Sequence, residues 1–151
     1  MTARDPVTVI LIGAPVPFAR MRLSRSTGGH YMPAEQRNAM AALRIAAGNT
    51  MRQQGAALFD EPICLNLEAV FPIPGSWSKK KQAAARLGMI RPGKRPDIDN
   101  LYKLAADALN SVVFRDDALI VEIRARKIYG HQPKLIITVE PFANQTVQPA
   151  A

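Results

Sequence analysis

The first apolar run of the chain, Val7 to Ile12, is β-branched and stops at Gly13, which predicts a strand. "GAPVPFARMRLSRSTGGHYMP" follows; its scattered prolines and glycines, with Arg20, Arg22 and Arg25, read as an irregular basic loop. From Ala34 to about Gln54, Met40, Leu43, Ala47 and Met51 recur at three- and four-residue spacing. Arg37, Arg44 and Arg52 fall elsewhere and Gly55 closes the stretch, so a helix is predicted. In "PICLNLEAVFPI", Ile63, Leu65, Leu67, Ala69 and Phe71 alternate with Cys64, Asn66 and Glu68, the period of a half-buried strand that Pro72 and Pro74 stop.

A short helix through "KKKQAAARLG" and a loop "MIRPGKRP" come next. After Pro96, the positions Ile98, Leu101, Leu104, Ala105, Ala108, Leu109 and Val112 form the clearest amphipathic pattern of the chain. They predict a helix of about 15 residues, roughly 22 Å long. In "LIVEIRARKIY", Val121, Ile123 and Ala125 alternate with Glu122, Arg124 and Arg126, giving one apolar and one mostly basic face. "QP" leads into "KLIITVEPF", where Leu135, Ile137 and Val139 face one way, and the last two strands are expected to pair as a hairpin. The order strand, helix, strand, short helix, helix, strand, strand predicts an α+β fold: a small, mainly antiparallel or mixed sheet with helices packed on one face. Residues 1–151 read as one domain, with 1–6 and 143–151 expected to be loose tails.

Composition narrows the class. Apolar residues at 48% against 21% charged exclude a disordered chain. The single cysteine, Cys64, excludes an intramolecular disulfide and a cysteine-only zinc site. No apolar run approaches the roughly 20 residues that span a bilayer, and the N-terminus makes a poor signal peptide, so no membrane role and a cytoplasmic location are expected. A net charge of +8 points to a polyanionic partner.

Against that basic background the acids are unevenly placed. Asp97, Asp99, Asp107, Asp116 and Asp117 fall within a window whose only cations are Lys103 and Arg115. Just before it, Lys79, Lys80, Lys81, Arg86, Arg91, Lys94 and Arg95 stand with no acid among them. Asp97 or Asp99 can cap the following helix, a sufficient reason for an acid there. They can equally serve as hard oxygen ligands for Mg²⁺, with Asp116 or Asp117 as a third. A turn directly at the far end of a 22 Å helix would lie too far away, so the third acid is expected to come back along the following strand or to sit on a neighbouring one. Clustered carboxylates repel one another, and a divalent cation relieves that cost. Lys103, four residues after Asp99, makes either an ordinary helix ion pair or a group that offsets charge developing on a phosphate. Arg20, Arg22, Lys79, Lys80, Lys81, Arg91, Lys94, Arg95, Arg124 and Arg126 are the expected DNA-backbone contacts. Trp77 and Tyr129 serve as packing aromatics or stack on bases; His30 and His131 show no ligand spacing.

"RPDIDNLYKLAADALN" followed by "FRDDALIVEIRARKIY", with "IGAPVPFARMR" upstream, resembles the RusA family of Holliday junction resolvases, common in phages and prophages. The resemblance spans most of residues 8–141. It implies a homodimeric, Mg²⁺-dependent endonuclease that makes paired nicks in four-way DNA junctions, leaving 5′-phosphate and 3′-hydroxyl ends. It also implies that Asp97, Asp99 and Asp117 are catalytic and metal-binding, with Asp116 as the alternative ligand and Lys103 as the motif lysine. Asn100 and Asp107 match the pattern but are kept out of the catalytic set. A non-catalytic nucleic-acid binder and a metal-dependent phosphohydrolase acting on a nucleotide are the competing readings.

Overall fold

The computed structural model describes residues 4–16 and 21–143. Strand β1 (Val7–Ile12) precedes a two-stranded hairpin, β2 (Arg22–Leu23) and β3 (His30–Tyr31). Helix α1 (Ala34–Gln54), strand β4 (Ile63–Pro72) and helices α2 (Lys79–Arg86) and α3 (Ile98–Leu109) follow. A 3₁₀ turn (Asp117–Leu119) then leads into β5 (Ile120–Gly130) and β6 (Lys134–Pro141). The α+β class is thus as expected, with a mixed sheet. The segment between β1 and α1, expected to be irregular, carries a hairpin in which Arg22 stands opposite Tyr31 and Leu23 opposite His30. Arg20 lies outside the described residues, as does 144–151 of the expected tail. The other expected tail is partly docked: the Arg4 guanidinium donates to the Leu58 carbonyl at 3.2 Å and lies 3.5 Å from the Phe59 ring centroid.

The main sheet runs β1-β6-β4-β5. This corrects the expected hairpin, because β5 and β6 do not pair: β4 lies between them, antiparallel to β6 and parallel to β5. The physical reason is burial. In β4, Cys64 and Val70 on the second face are buried as well as Leu65, Leu67, Ala69 and Phe71. A strand with apolar residues on both faces gains most in the middle, whereas the charged alternation of β5 suits an edge.

On the helix-bearing face, Val7 and Val9 of β1 stand opposite Val139 and Ile137 of β6, which stand opposite Leu65 and Leu67 of β4. Helix α1 covers this layer with Ala39, Leu43, Ala47 and Met51, and it ends where Gly55 takes a left-handed φ of 59° and returns hydrogen bonds to Met51 and Arg52. Helix α3 packs beside α1. Its Leu101, Leu104, Ala105, Ala108 and Leu109 are all buried, and each leucine contributes about 1.5–3 kcal/mol by leaving water. The helix is shorter than expected, 12 residues, because Asn110 turns extended (ψ 130°) and Ser111 takes a left-handed φ of 64°. Val112 therefore lies in the following turn.

Candidate functional site

The shortened helix brings the third acid back beside the middle of α3, next to Lys103 and Asp107 rather than to Asp97 and Asp99. Beyond Leu109 the chain reverses: the Ser111 amide donates to the Phe114 carbonyl at 2.8 Å. Phe114 is fully buried, and the chain around it is stitched to Phe59 by two main-chain bonds, from Phe59 to Val113 and from Arg115 to Phe59, each 2.9 Å. An ion pair between Arg115 and Asp60 at 2.8 Å closes the same clamp. The chain is thereby carried back along α3, and Asp117 comes to rest beside the middle of the helix. There it lines a surface cleft of about 150 Å³ with Tyr102, Lys103, Ala106 and Asp107.

Charge is concentrated in this cleft. The Asp116 carboxylate accepts from the Ala118 amide at 2.9 Å. That bond and a hydrogen bond with Asp117 hold Asp116 below the usual carboxylate range. Asp117 is pushed above it, first by the same bond with Asp116, then by desolvation and by the negative charges of Asp116 and Asp107. The Tyr102 phenol is raised by burial and by the neighbouring Asp117. Asp107, set aside at the sequence level, thus belongs to the same cleft as Asp117 and Lys103. The signal for it was its spacing: Lys103 and Asp107 are four residues apart and share one helix face.

Asp97 sits at the N-cap position of α3 with extended backbone, but its side chain caps no amide, and Asp99 lies exposed in the first turn. The capping expectation is therefore not met by Asp97. Lys103 bridges the two acidic groups: its ammonium lies 4.0 Å from the Asp99 carboxylate, and its side chain lines the cleft of Asp117 and Asp107. Among the described residues, no three acidic, histidine or cysteine side chains are gathered closely enough to hold a metal ion. The donors nonetheless suit Mg²⁺, which is commonly held by one or two carboxylates, with waters and substrate phosphates completing its octahedron. All of them are hard oxygens on the surface.

The basic residues form two groups. In the first, Ser78 caps α2 by accepting from the Lys81 amide at 3.2 Å, which sets Lys79, Lys80 and Lys81 in the opening turn. The Lys81 ammonium lies over the Trp77 ring at 4.0 Å. Trp77 in turn meets Tyr129 edge-on at 5.2 Å, and Tyr129 is buried, so this pair packs the end of the sheet. Arg91 donates to the Lys127 carbonyl at 3.3 Å, and the Lys127 ammonium reaches the Lys94 carbonyl. Lys127, absent from the sequence-derived set, thereby joins a basic ridge that runs through Lys94 and Arg95 into Asp97.

The second group lies on the sheet face away from the helices. There Arg124 pairs with Glu122 at 2.6 Å and Arg126 pairs with Glu68. With Asn66 and Thr138 these arginines line a shallow groove of about 390 Å³, and their charge is already engaged by carboxylates. Arg22 is exposed on the β2–β3 hairpin. His30 and His131 are exposed, one on that hairpin and one in the β5–β6 turn.

Comparison with known proteins gives the family. Residues 13–140 match the family model of the endodeoxyribonuclease RusA. The chain is also 28% identical over 139 residues to the uncharacterized protein YqaN of Bacillus subtilis (strain 168), covering 89% of this chain and 96% of that protein. No helix among the described residues is long and apolar enough to cross a membrane. With its family match running from the end of β1 into β6, this chain belongs to the RusA family of endodeoxyribonucleases.

Proposed function

We propose that this protein resolves four-way DNA junctions by paired, Mg²⁺-dependent nicks, acting as a homodimer with one site per subunit. The observation that carries the reading is the return of Asp117 to the flank of α3. It puts Asp117 and Asp107 on one side of Lys103 while Asp99 lies on the other. Asp97, Asp99 and Asp117, with Asp116 or Asp107 in support, are the residues that would hold the ion, and the ion would supply charge neutralisation at the scissile phosphate and an acidified water.

The chain's own side chains have separate parts. Lys79, Lys80, Lys81, Arg91, Lys94, Arg95 and Lys127 attract and orient the phosphodiester backbone and lead it toward Asp97. Arg22 adds a further cation on the hairpin. Lys103 offsets the negative charge that grows on the phosphoryl oxygens or on the leaving 3′ oxygen as the bond breaks. Arg124 and Arg126, held by Glu122 and Glu68, contribute less to DNA than their charge suggests. A junction has near two-fold symmetry, so a C₂ dimer matches two opposed cuts to two equivalent sites.

A labelled four-way junction incubated with the protein and increasing Mg²⁺ tests this reading. Symmetric nicks in opposed strands are expected, with linear duplex spared. Asp97→Asn and Asp99→Asn are expected to keep a salt-sensitive gel shift while losing at least about a hundredfold in cutting rate. A junction that is shifted and never cut at any Mg²⁺ concentration would leave a binding protein. Equal cutting of linear duplex would remove the branched substrate.

A further inference from the structure

Strand β5 is an edge of the sheet, 11 residues long and paired only with β4. Its second half is covered: α2 packs against it, Arg91 bonds the Lys127 carbonyl, and Lys127 reaches back to Lys94. Along its first half the outer main-chain edge is open, although α3 touches the strand. Among the described residues, the main chain of 121–126 makes no hydrogen bond outside the β4 ladder. Val121 and Ile123 stand 54% and 46% exposed there, although Ile123 lies on the helix-bearing face of its strand. An open edge with apolar side chains is a template for a further strand.

The side chains on this edge specify which strand. Glu122 and Arg124 flank Ile123 and point to the other face of the sheet, where they pair with each other at 2.6 Å. If two copies of β5 run antiparallel about a two-fold axis through Ile123, each Glu122 falls opposite Arg124 of the partner subunit. The two isoleucines meet across the axis. The pairing is self-complementary in charge on one face and apolar on the other, as an isologous contact requires. Shifting the register by two residues in one direction sets glutamate against glutamate, and in the other sets Arg124 against Arg124 while Glu122 meets Arg126, so the register centred on Ile123 is the one free of a like-charge contact. Val121 is the extra residue of a bulge against β4, since Ile63 faces Ile120 and Cys64 faces Glu122. The bulge bends the strand just before this stretch and limits the pairing to the regular part of the edge.

We infer that two copies of this chain join edge to edge through residues 122–124 of β5, with Ile123 on the dyad and Glu122 of each subunit facing Arg124 of the partner subunit. The joint makes one continuous sheet from the two four-stranded sheets. It also ties the two acidic clefts to the dyad, because Asp116 and Asp117 directly precede β5 in each subunit. The inference deepens the two-subunit reading proposed above and rests on it for its biological meaning, but its test does not require cutting.

The test is a charge exchange read by sedimentation or light scattering. The unaltered protein is expected to be a dimer at micromolar concentration. Glu122→Arg sets arginine against arginine, and Arg124→Glu sets glutamate against glutamate, so each alone is expected to weaken the dimer at least about tenfold. Mixed together, the two variants restore opposite charges at both crossings and are expected to form a heterodimer of near native strength. A folding defect would not be repaired by mixing. As an independent readout, Ile123→Cys is expected to form an intersubunit disulfide on mild oxidation, since directly opposed residues of paired strands lie within disulfide reach. A monomeric parent protein, single variants that dimerise undiminished, or a mixture that stays monomeric overturns the inference. A monomer that still resolves junctions would sink this interface and the two-subunit part of the proposed function while leaving the nuclease intact; a dimer with these properties that never cuts would do the reverse.

Discussion

Replacing Lys103 by methionine separates the two roles that its position allows. As a helix ion pair, Lys103 meets Asp99 at 4.0 Å with both side chains well exposed, 57% and 68%. Two unit charges at that distance in water attract by about 1 kcal/mol, and after side-chain ordering an exposed i,i+4 pair retains about 0.3–0.5 kcal/mol. For a domain of this size that corresponds to about 1–2 °C in melting temperature. Methionine keeps most of the aliphatic stem, so packing against the cleft changes little. As a group that meets charge developing at phosphorus, Lys103 would resemble a preorganised donor whose loss costs about a hundredfold to a thousandfold, or about 2.7–4 kcal/mol. The two roles differ nearly tenfold in energy. Thermal unfolding measures the first, and single-turnover cutting of a labelled junction at saturating protein and Mg²⁺ measures the second, with a gel shift to confirm binding. The expected result is a melting temperature within about 2 °C of the parent and a cutting rate at least about a hundredfold lower. A rate within about threefold of the parent would refute the catalytic role and leave Lys103 as a helix ion pair.

Other consequences are open to direct measurement. Asp117 should titrate above the ordinary carboxylate range in a carboxyl-resolved NMR titration without divalent ion, and Asp116→Ala should bring it down; an ordinary value in the unaltered protein would show that the two acids do not interact. Between the ordinary value and the raised one, the folded chain holds the extra proton, so the stability contributed by Asp117 is complete at lower pH and is lost as pH rises through that window. Asp116 acts in the opposite sense, its contribution being lost as pH falls through its lowered value. Gly130→Ala would place a Cβ 2.6 Å from a methyl of the buried Val70, so a loss of about 1–3 kcal/mol is expected in urea unfolding, and no loss would show that β4 and β5 separate easily there. The Cys64 thiol is raised by burial and then by Glu122, so alkylation at pH 8 should run at least about tenfold slower in the folded protein than in urea. Equal rates would mean that this strand opens freely.

Much of this molecule can be read before any coordinates are known. The spacing of Leu43, Ala47 and Met51 places α1, and Gly55 ends it, because one helix face must be apolar and a left-handed residue must close the last turn. The alternation in β4 and β6 places two strands, and the crowding of acids after a basic run marks where the chemistry lies. These features are local: they follow from periods of 3.6 and 2 and from backbone sterics within a few residues. Strand order was not local. The expected β5–β6 hairpin fails because the two-faced burial of β4 outweighs a short connection, and that balance exists only once all four strands compete for the centre. The placement of Asp117 depends equally on the whole fold. Phe114 must find Phe59 before the chain can turn back, so neither the partnership of Asp107 and Lys103 with Asp117 nor the engagement of Arg124 and Arg126 by nearby glutamates is visible in one dimension. Helices, strands and the identities of the reactive side chains came from neighbours along the chain; which of them meet was decided by long-range packing, since burial is a property of the assembled core and not of any one segment.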